Sequence, residues 1–145
     1  MTDLDPRELA RVSHLFEALD KEGRMALLSS ATRRRCAPGE VICREGEKGE
    51  EFFVISSGEV RVSADDFGAD KELAVLPKSS FFGEMAVLGG HVRSATVTAV
   101  GEVELVVFPF PAVLAVLRDR PAAREVLARV GVLRSELTVQ RMMEG

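Results

Sequence analysis

Between Thr32 and Phe108, short apolar runs alternate with glycine-marked turns, and this rhythm constrains the fold more than any other feature of the chain. Val41-Ile42-Cys43, Phe52 to Ile55, Val60-Arg61-Val62, Leu73 to Leu76, Ala95 to Val100 and Leu105 to Phe108 each suit a short strand. Pro38-Gly39, Gly46, Gly49, Gly58 and Gly68 punctuate them, and Asp65 to Asp70 is the clearest hairpin tip. Several short strands with turns at regular spacing predict a β-sandwich or jelly roll. Arg33-Arg34-Arg35 is expected on a solvated edge, since alternation sends successive side chains to opposite faces.

On either side the period changes to that of a helix. Asp5-Pro6-Arg7-Glu8 has the order of cap, first-turn proline and acid that starts one. Leu9, Val12, Leu15, Phe16 and Leu19 then recur at helical spacing, and Glu22 to Ser29 predicts a second short helix. After Phe108, Pro111 opens a short helix through Leu117, and Asp119-Arg120-Pro121 breaks it. A longer helix is expected from about Pro121 to Met143, with Val126, Val130, Leu133 and Leu137 along one side and Gly131 as a hinge or close contact. The expected organisation is one domain over 1–145: N-terminal helices in 1–30, a β-roll in 31–109, and closing helices in 110–145.

The 145 residues are 46% apolar and 29% charged, enough for a real core. A net charge of −4 argues against a nucleic-acid module, which would carry a basic face. Cys36 and Cys43 form no CxxC, and His14 and His91 lack ligand spacing, so no metal site is expected. The thiols are read as buried and reduced. The N-terminal segment lacks the apolar stretch of a signal peptide, and no run has the length of a membrane span, so the default location is cytoplasmic.

One interruption of the β rhythm is chemically unusual. In Phe82-Gly83-Glu84-Met85-Ala86-Val87-Leu88-Gly89-Gly90-His91-Val92-Arg93-Ser94-Ala95-Thr96, residues 83 to 88 suit one or two helical turns, which Gly89-Gly90 ends. A short helix start presents unpaired N–H groups and partial positive charge. Arg93 adds a planar donor fork that matches phosphate oxygens, and Ser94 with the Ala95 amide can extend an anion-binding concavity. Glu84 would repel a phosphate but can accept from a sugar hydroxyl. Taken alone, Glu84 and Arg93 favour a plain ion pair; with their spacing and flanks they suit a ligand with a ribose and one phosphate charge.

This segment resembles the phosphate-binding cassette of the cyclic-nucleotide-binding domain family, with the family's nine-residue step from Glu84 to Arg93. Pro38-Gly39-Glu40-Val41-Ile42, Glu45-Gly46-Glu47 and Phe53 to Val60 are similar to further phrases of that family's roll, so the likeness covers nearly the whole chain. It implies a mainly β fold, a double-stranded β-helix (jelly-roll) β-roll with an N-terminal helical bundle and C-terminal lid helices. It implies that Glu84 and the Gly83 amide take the ribose, that Arg93 takes the cyclic phosphate, and that Ser94 and Ala95 complete the cradle. Leu76, Met85 and Ala86 are similar to base-pocket positions, and Arg134 stands where some members cover the base from the last helix. Val92 departs from the proline common before the cassette arginine, and the chain has no Tyr or Trp to serve as a lid.

The function expected from the resemblance is a sensor rather than an enzyme, with cAMP slightly favoured over cGMP and no other cofactor. Its output is expected in trans, through an effector protein or a homodimer, with neither nucleic acid nor membrane as partner. Two alternatives stay open: a module of the same fold that has lost its ligand, and a cupin-like metalloenzyme, which two distant histidines make hard to build.

Overall fold

The computed structural model describes residues 19–83 and 92–126. The first predicted helix, Glu84 to His91 of the cassette, and the long last helix beyond 126, with Gly131 and Arg134, lie outside the described residues.

Helix α1 spans Lys21–Ser30 and starts where Asp20, in extended backbone, accepts from the Gly23 N–H at 2.8 Å. Eight strands follow: β1 Thr32–Cys36, β2 Val41–Cys43, β3 Glu51–Ser57, β4 Val60–Asp66, β5 Ala69–Leu76, β6 Phe81–Phe82, β7 Thr96–Ala99 and β8 Val103–Pro109. They build two antiparallel four-stranded sheets, in the orders β1-β8-β3-β6 and β2-β7-β4-β5. Helix α2, Phe110–Leu117, grows directly from the end of β8, and residues 121–126 are again helical. This is a mainly β roll with flanking helices.

The central strands β3 and β8 have no polar face, and the structure gives the reason. In β3, Phe52 and Val54 point to a core shared with the helices, while Phe53 and Ile55 point between the sheets. In β8, Val106 and Phe108 take the first side, and Val103, Leu105 and Val107 the second. A strand buried on both faces reads as a continuous apolar run rather than an alternation. The helix-side core adds Leu19, Leu27, Val113, Val116, Leu117 and Ala123, so α1 and α2 close over one sheet. Phe52 is its hub, with ring centroids 5.3 Å from Phe81 and 6.3 Å from Phe108.

Two strands escape a reading by apolar pattern. β6 is only Phe81–Phe82, yet it pairs with β3 and splits its rings between the two cores. β1 carries Arg33, Arg34 and Arg35, and among the described residues it sits at a sheet edge, paired only with β8. Arg33 pairs with Glu104 and Arg34 with Glu40, which places the arginines on a partly solvated edge.

Candidate functional site

Arg93 sits at the centre of the described site and is only 8% exposed. Its backbone is fixed first. The Arg93 N–H donates to the Glu47 carbonyl at 2.8 Å, and the Arg93 carbonyl accepts from the Gly46 N–H at 2.9 Å. A bridge between Lys48 and Val92 continues this pairing. The loop after β2 and the segment entering β7 are thus zipped together, and the Glu45 N–H donates to Thr96 Oγ1 at 3.1 Å one step further on.

The side chain then runs inward. Arg93 Nη2 donates to the Glu51 carbonyl at 3.0 Å. The guanidinium carbon lies 5.5 Å from the Phe53 ring centroid and 5.8 Å from that of Phe110, within cation–π range of both. Two glycines make room for it. A Cβ on Gly49 would fall on the Arg93 Nε and Cζ atoms. A Cβ on Gly83 would meet the Glu51 carbonyl oxygen at 2.9 Å and Arg93 Nη1 at 3.0 Å, at a φ of +95°. Arg93 Nη1 is buried and has no hydrogen-bond partner among the described residues.

Removing a guanidinium from water costs several kcal/mol unless its donors are matched. One carbonyl bond and two ring faces offset part of that cost and leave Nη1 buried without a partner among the described residues. The group borders a cavity of about 190 Å³, whose wall includes Cys43, Lys48, Gly49, Glu51 and Phe53. Burial pushes the Cys43 thiol up to about 11, against the opposing pull of the nearby Arg93 charge, so it is a neutral wall group. Chemically, this is a desolvated cation whose Nη1 has no partner among the described residues, at the edge of a cavity, which suits a compact anion.

The other expected site residues distribute as follows. Gly83 touches the arginine, as described. Ser94 is exposed and Ala95 half-buried, both directly beside Arg93 in the chain. Leu76 is half-buried against the core between the sheets, with Ile42 and Val62, and does not border the cavity at Arg93. Glu84, Met85, Ala86 and Arg134 lie outside the described residues. Sequence reasoning missed Gly49, the Glu51 carbonyl, Phe53 and Phe110 as neighbours of Arg93. Only Gly49 left a local signal, as a turn glycine close behind Glu45-Gly46-Glu47. Among the described residues, no group of three or more His, Cys, Asp or Glu is placed to hold a metal, and no helix is long and apolar enough to cross a membrane.

Comparison with known proteins agrees with this fold. Residues 33–120 match the family model described as the cyclic nucleotide-binding domain. A cAMP-dependent protein kinase regulatory subunit of Mycosarcoma maydis is 36% identical over 87 residues, which cover 60% of this chain and 17% of that protein. A cGMP-dependent protein kinase of Caenorhabditis elegans is 48% identical over 63 residues, covering 42% of this chain and 8% of that protein. The chain thus spans only a small part of the length of these relatives. Among solved structures, the regulatory domain of Toxoplasma gondii PKA with cAMP superposes with a TM-score of 0.76 at 27% identity, over 83% of this chain and 46% of that one. With the fold and the match over 33–120 in agreement, the chain belongs to the cyclic nucleotide-binding domain family, a family of regulatory domains.

Proposed function

We propose that this domain captures a cyclic purine mononucleotide, with Arg93 on the cyclic phosphate. The observation that carries the reading is Arg93 Nη1, a buried donor without a partner among the described residues, at the edge of the cavity. A phosphate oxygen supplies an acceptor for this donor and an opposite charge for the guanidinium. Ser94 and the Ala95 amide, next in the chain, extend the cradle, and Gly83 lets the cassette backbone approach the arginine. Glu84 on the ribose, Leu76, Met85 and Ala86 around the base, and Arg134 over it are assigned on the sequence resemblance. We place cAMP ahead of cGMP on the structural likeness to a regulatory domain with cAMP.

The signal leaves through the C-terminal helices, towards an effector in trans or a second copy of the chain. Two contacts support this route. Phe110, the first residue of α2, lies beneath the Arg93 guanidinium. Its N–H also donates to the Glu50 carbonyl at 2.9 Å, one residue before the carbonyl that holds Arg93. An anion that moves the guanidinium therefore acts directly on the head of α2.

Parallel calorimetric titrations with cAMP and cGMP test the reading. Wild-type protein should bind one equivalent, with cAMP the tighter. Arg93→Ala, shown by circular dichroism to be folded, should lose about 2–5 kcal/mol of binding energy, as when one partner of a buried charge pair is removed. Absence of heat and of any thermal shift with either nucleotide at millimolar concentration would favour a ligand-free module instead.

A further inference from the structure

The hairpin between β4 and β5 breaks several local rules at one point. Its two-residue loop is Phe67-Gly68, closed by the Asp66–Ala69 pair, with φ of 53° and 88°. Positive φ at both central residues is the two-residue hairpin turn that favours Asn-Gly or Asp-Gly, whereas a bulky aromatic in that region is an outlier. Phe67 has a relative exposure of 104%, the most of any large apolar side chain among the described residues. Asp65 stands directly opposite Asp70, a like-charge pair that weakens a hairpin. Burial in this chain's described core explains none of this, and the turn would form more readily without the ring.

The tip is nevertheless held firmly. The Asp65 N–H donates to Glu45 Oε1 at 2.8 Å. Arg61 binds Asp70 at 2.7 Å and Glu72 at 3.0 Å across the two strands. The aromatic side chain is therefore presented on a braced support, with Asp65 and Asp66 at its foot. Rigid aromatic anchors with a polar surround are the pattern of interface hot spots. The charge decides the partner: an acidic foot is repelled by anionic lipid surfaces and by nucleic-acid phosphates, and it complements a protein surface rimmed with lysine or arginine.

We propose that Phe67 is a docking anchor for a partner protein that offers an apolar pocket rimmed by Lys or Arg side chains. The anchor is also tied to the Arg93 site. Glu45, which holds the Asp65 amide, is followed by Gly46 and Glu47, the two residues paired with the Arg93 backbone.

The test has two arms. The first is Phe67→Asn, which fits a side chain tolerant of positive φ into the turn. Its Tm should equal or exceed that of the wild type, and a lower Tm overturns the proposal by making the ring structural. In the second arm, the protein is expressed in the cells that make it with a photo-crosslinking benzophenone residue at position 67, and with the same residue at position 25 as an exposed control. Crosslinks from position 67 should fall on one protein, at a segment combining apolar and basic residues. Asp65→Lys should cut the yield at least about tenfold, as loss of a hot-spot contact does, and Lys→Glu in the partner segment should restore it. Crosslinks to lipid, to nucleic acid or to a second copy of this chain, yield no higher than at position 25, or failure of the charge swap overturn the proposal. None of these substitutions touches Arg93, so nucleotide binding should persist in all of them, and failure here is separable from failure of the nucleotide reading.

Discussion

Asp20 Oδ1 accepts two hydrogen bonds, from the Gly23 N–H at 2.8 Å and from Arg120 Nε at 3.1 Å. One oxygen thus caps α1 and reaches a residue 100 positions later, just past the end of α2. Arg120 also donates to the Val116 carbonyl at 3.0 Å, so the pair ties the start of the N-terminal helix to the turn that leads into residues 121–126. Gly23 leaves space for it, since a Cβ there would come within 2.6 Å of Arg120 Nε.

The Gly23 N–H first, and the Arg120 side chain second, hold the Asp20 carboxyl below its ordinary value of 3.8. A depressed folded-state value means that the unfolded chain binds more protons in this range, so stability rises with pH through it. The contribution is present above about pH 4 and is lost as pH falls through the folded value. Asp20→Asn should therefore flatten the acid limb of a Tm-against-pH curve, and Asp20→Ala should in addition lower Tm at pH 7 through loss of the cap. An unchanged acid limb in Asp20→Asn would discard this account.

The space around Arg93 makes a sharp prediction at Gly49. Gly49→Ala puts a methyl group onto the guanidinium and must displace it. Overpacking of this kind costs about 1–3 kcal/mol, and nucleotide affinity should fall along with stability. Arg93→Lys keeps the charge but loses the planar fork, and should bind more weakly than wild type and more tightly than Arg93→Ala in calorimetry.

Cys43 predicts the alkaline behaviour. Its thiol is raised by burial from 9.0 to about 11, so the folded state keeps a proton that the unfolded state releases. That contribution is complete below about pH 9 and is lost as pH rises towards 11; two units correspond to roughly 2–3 kcal/mol. Wild-type protein should lose stability to urea across this window, and Cys43→Ala should lose less. Cys36 is also buried, so both thiols should react slowly with a disulfide reagent at pH 8 until the protein is unfolded.

Phe52 should be the costliest truncation in the helix-side core. It is 1% exposed, stacked against Phe81 and tilted against Phe108. Phe52→Ala should cost about 3–5 kcal/mol in urea unfolding, a large share of the 5–15 kcal/mol typical of a domain. A loss below about 1 kcal/mol would mean that Phe52 is not the hub of this core.

Much of this molecule was legible one residue at a time. β2, β3, β4, β5, β7 and β8 follow from apolar runs and turn glycines because both signals are local. The hairpin tip at Asp65 to Asp70 follows for the same reason. The cassette reading rested on Glu84, Arg93 and Ser94 combining chemistry and spacing within one short segment; of that segment the structure describes Phe82, Gly83 and residues 92–96, with Arg93 buried. β6 was not, since two residues cannot display a period. β1 was only half visible, since its arginines hide an edge strand whose partners, Glu40 and Glu104, lie elsewhere in the chain.

Sequence by itself determined that the middle of the chain is a β-roll and that Arg93 is its chemically exceptional residue, because strand period, turn glycine and donor fork are properties of neighbours in the chain. Only the tertiary structure decided what surrounds that arginine. The pairing of β3 with β8 and of the 46–48 loop with 92–93 brings Gly49, the Glu51 carbonyl, Phe53 and Phe110 to one guanidinium. Contacts across such separations depend on which sheet edges meet, and no local pattern of residues encodes that.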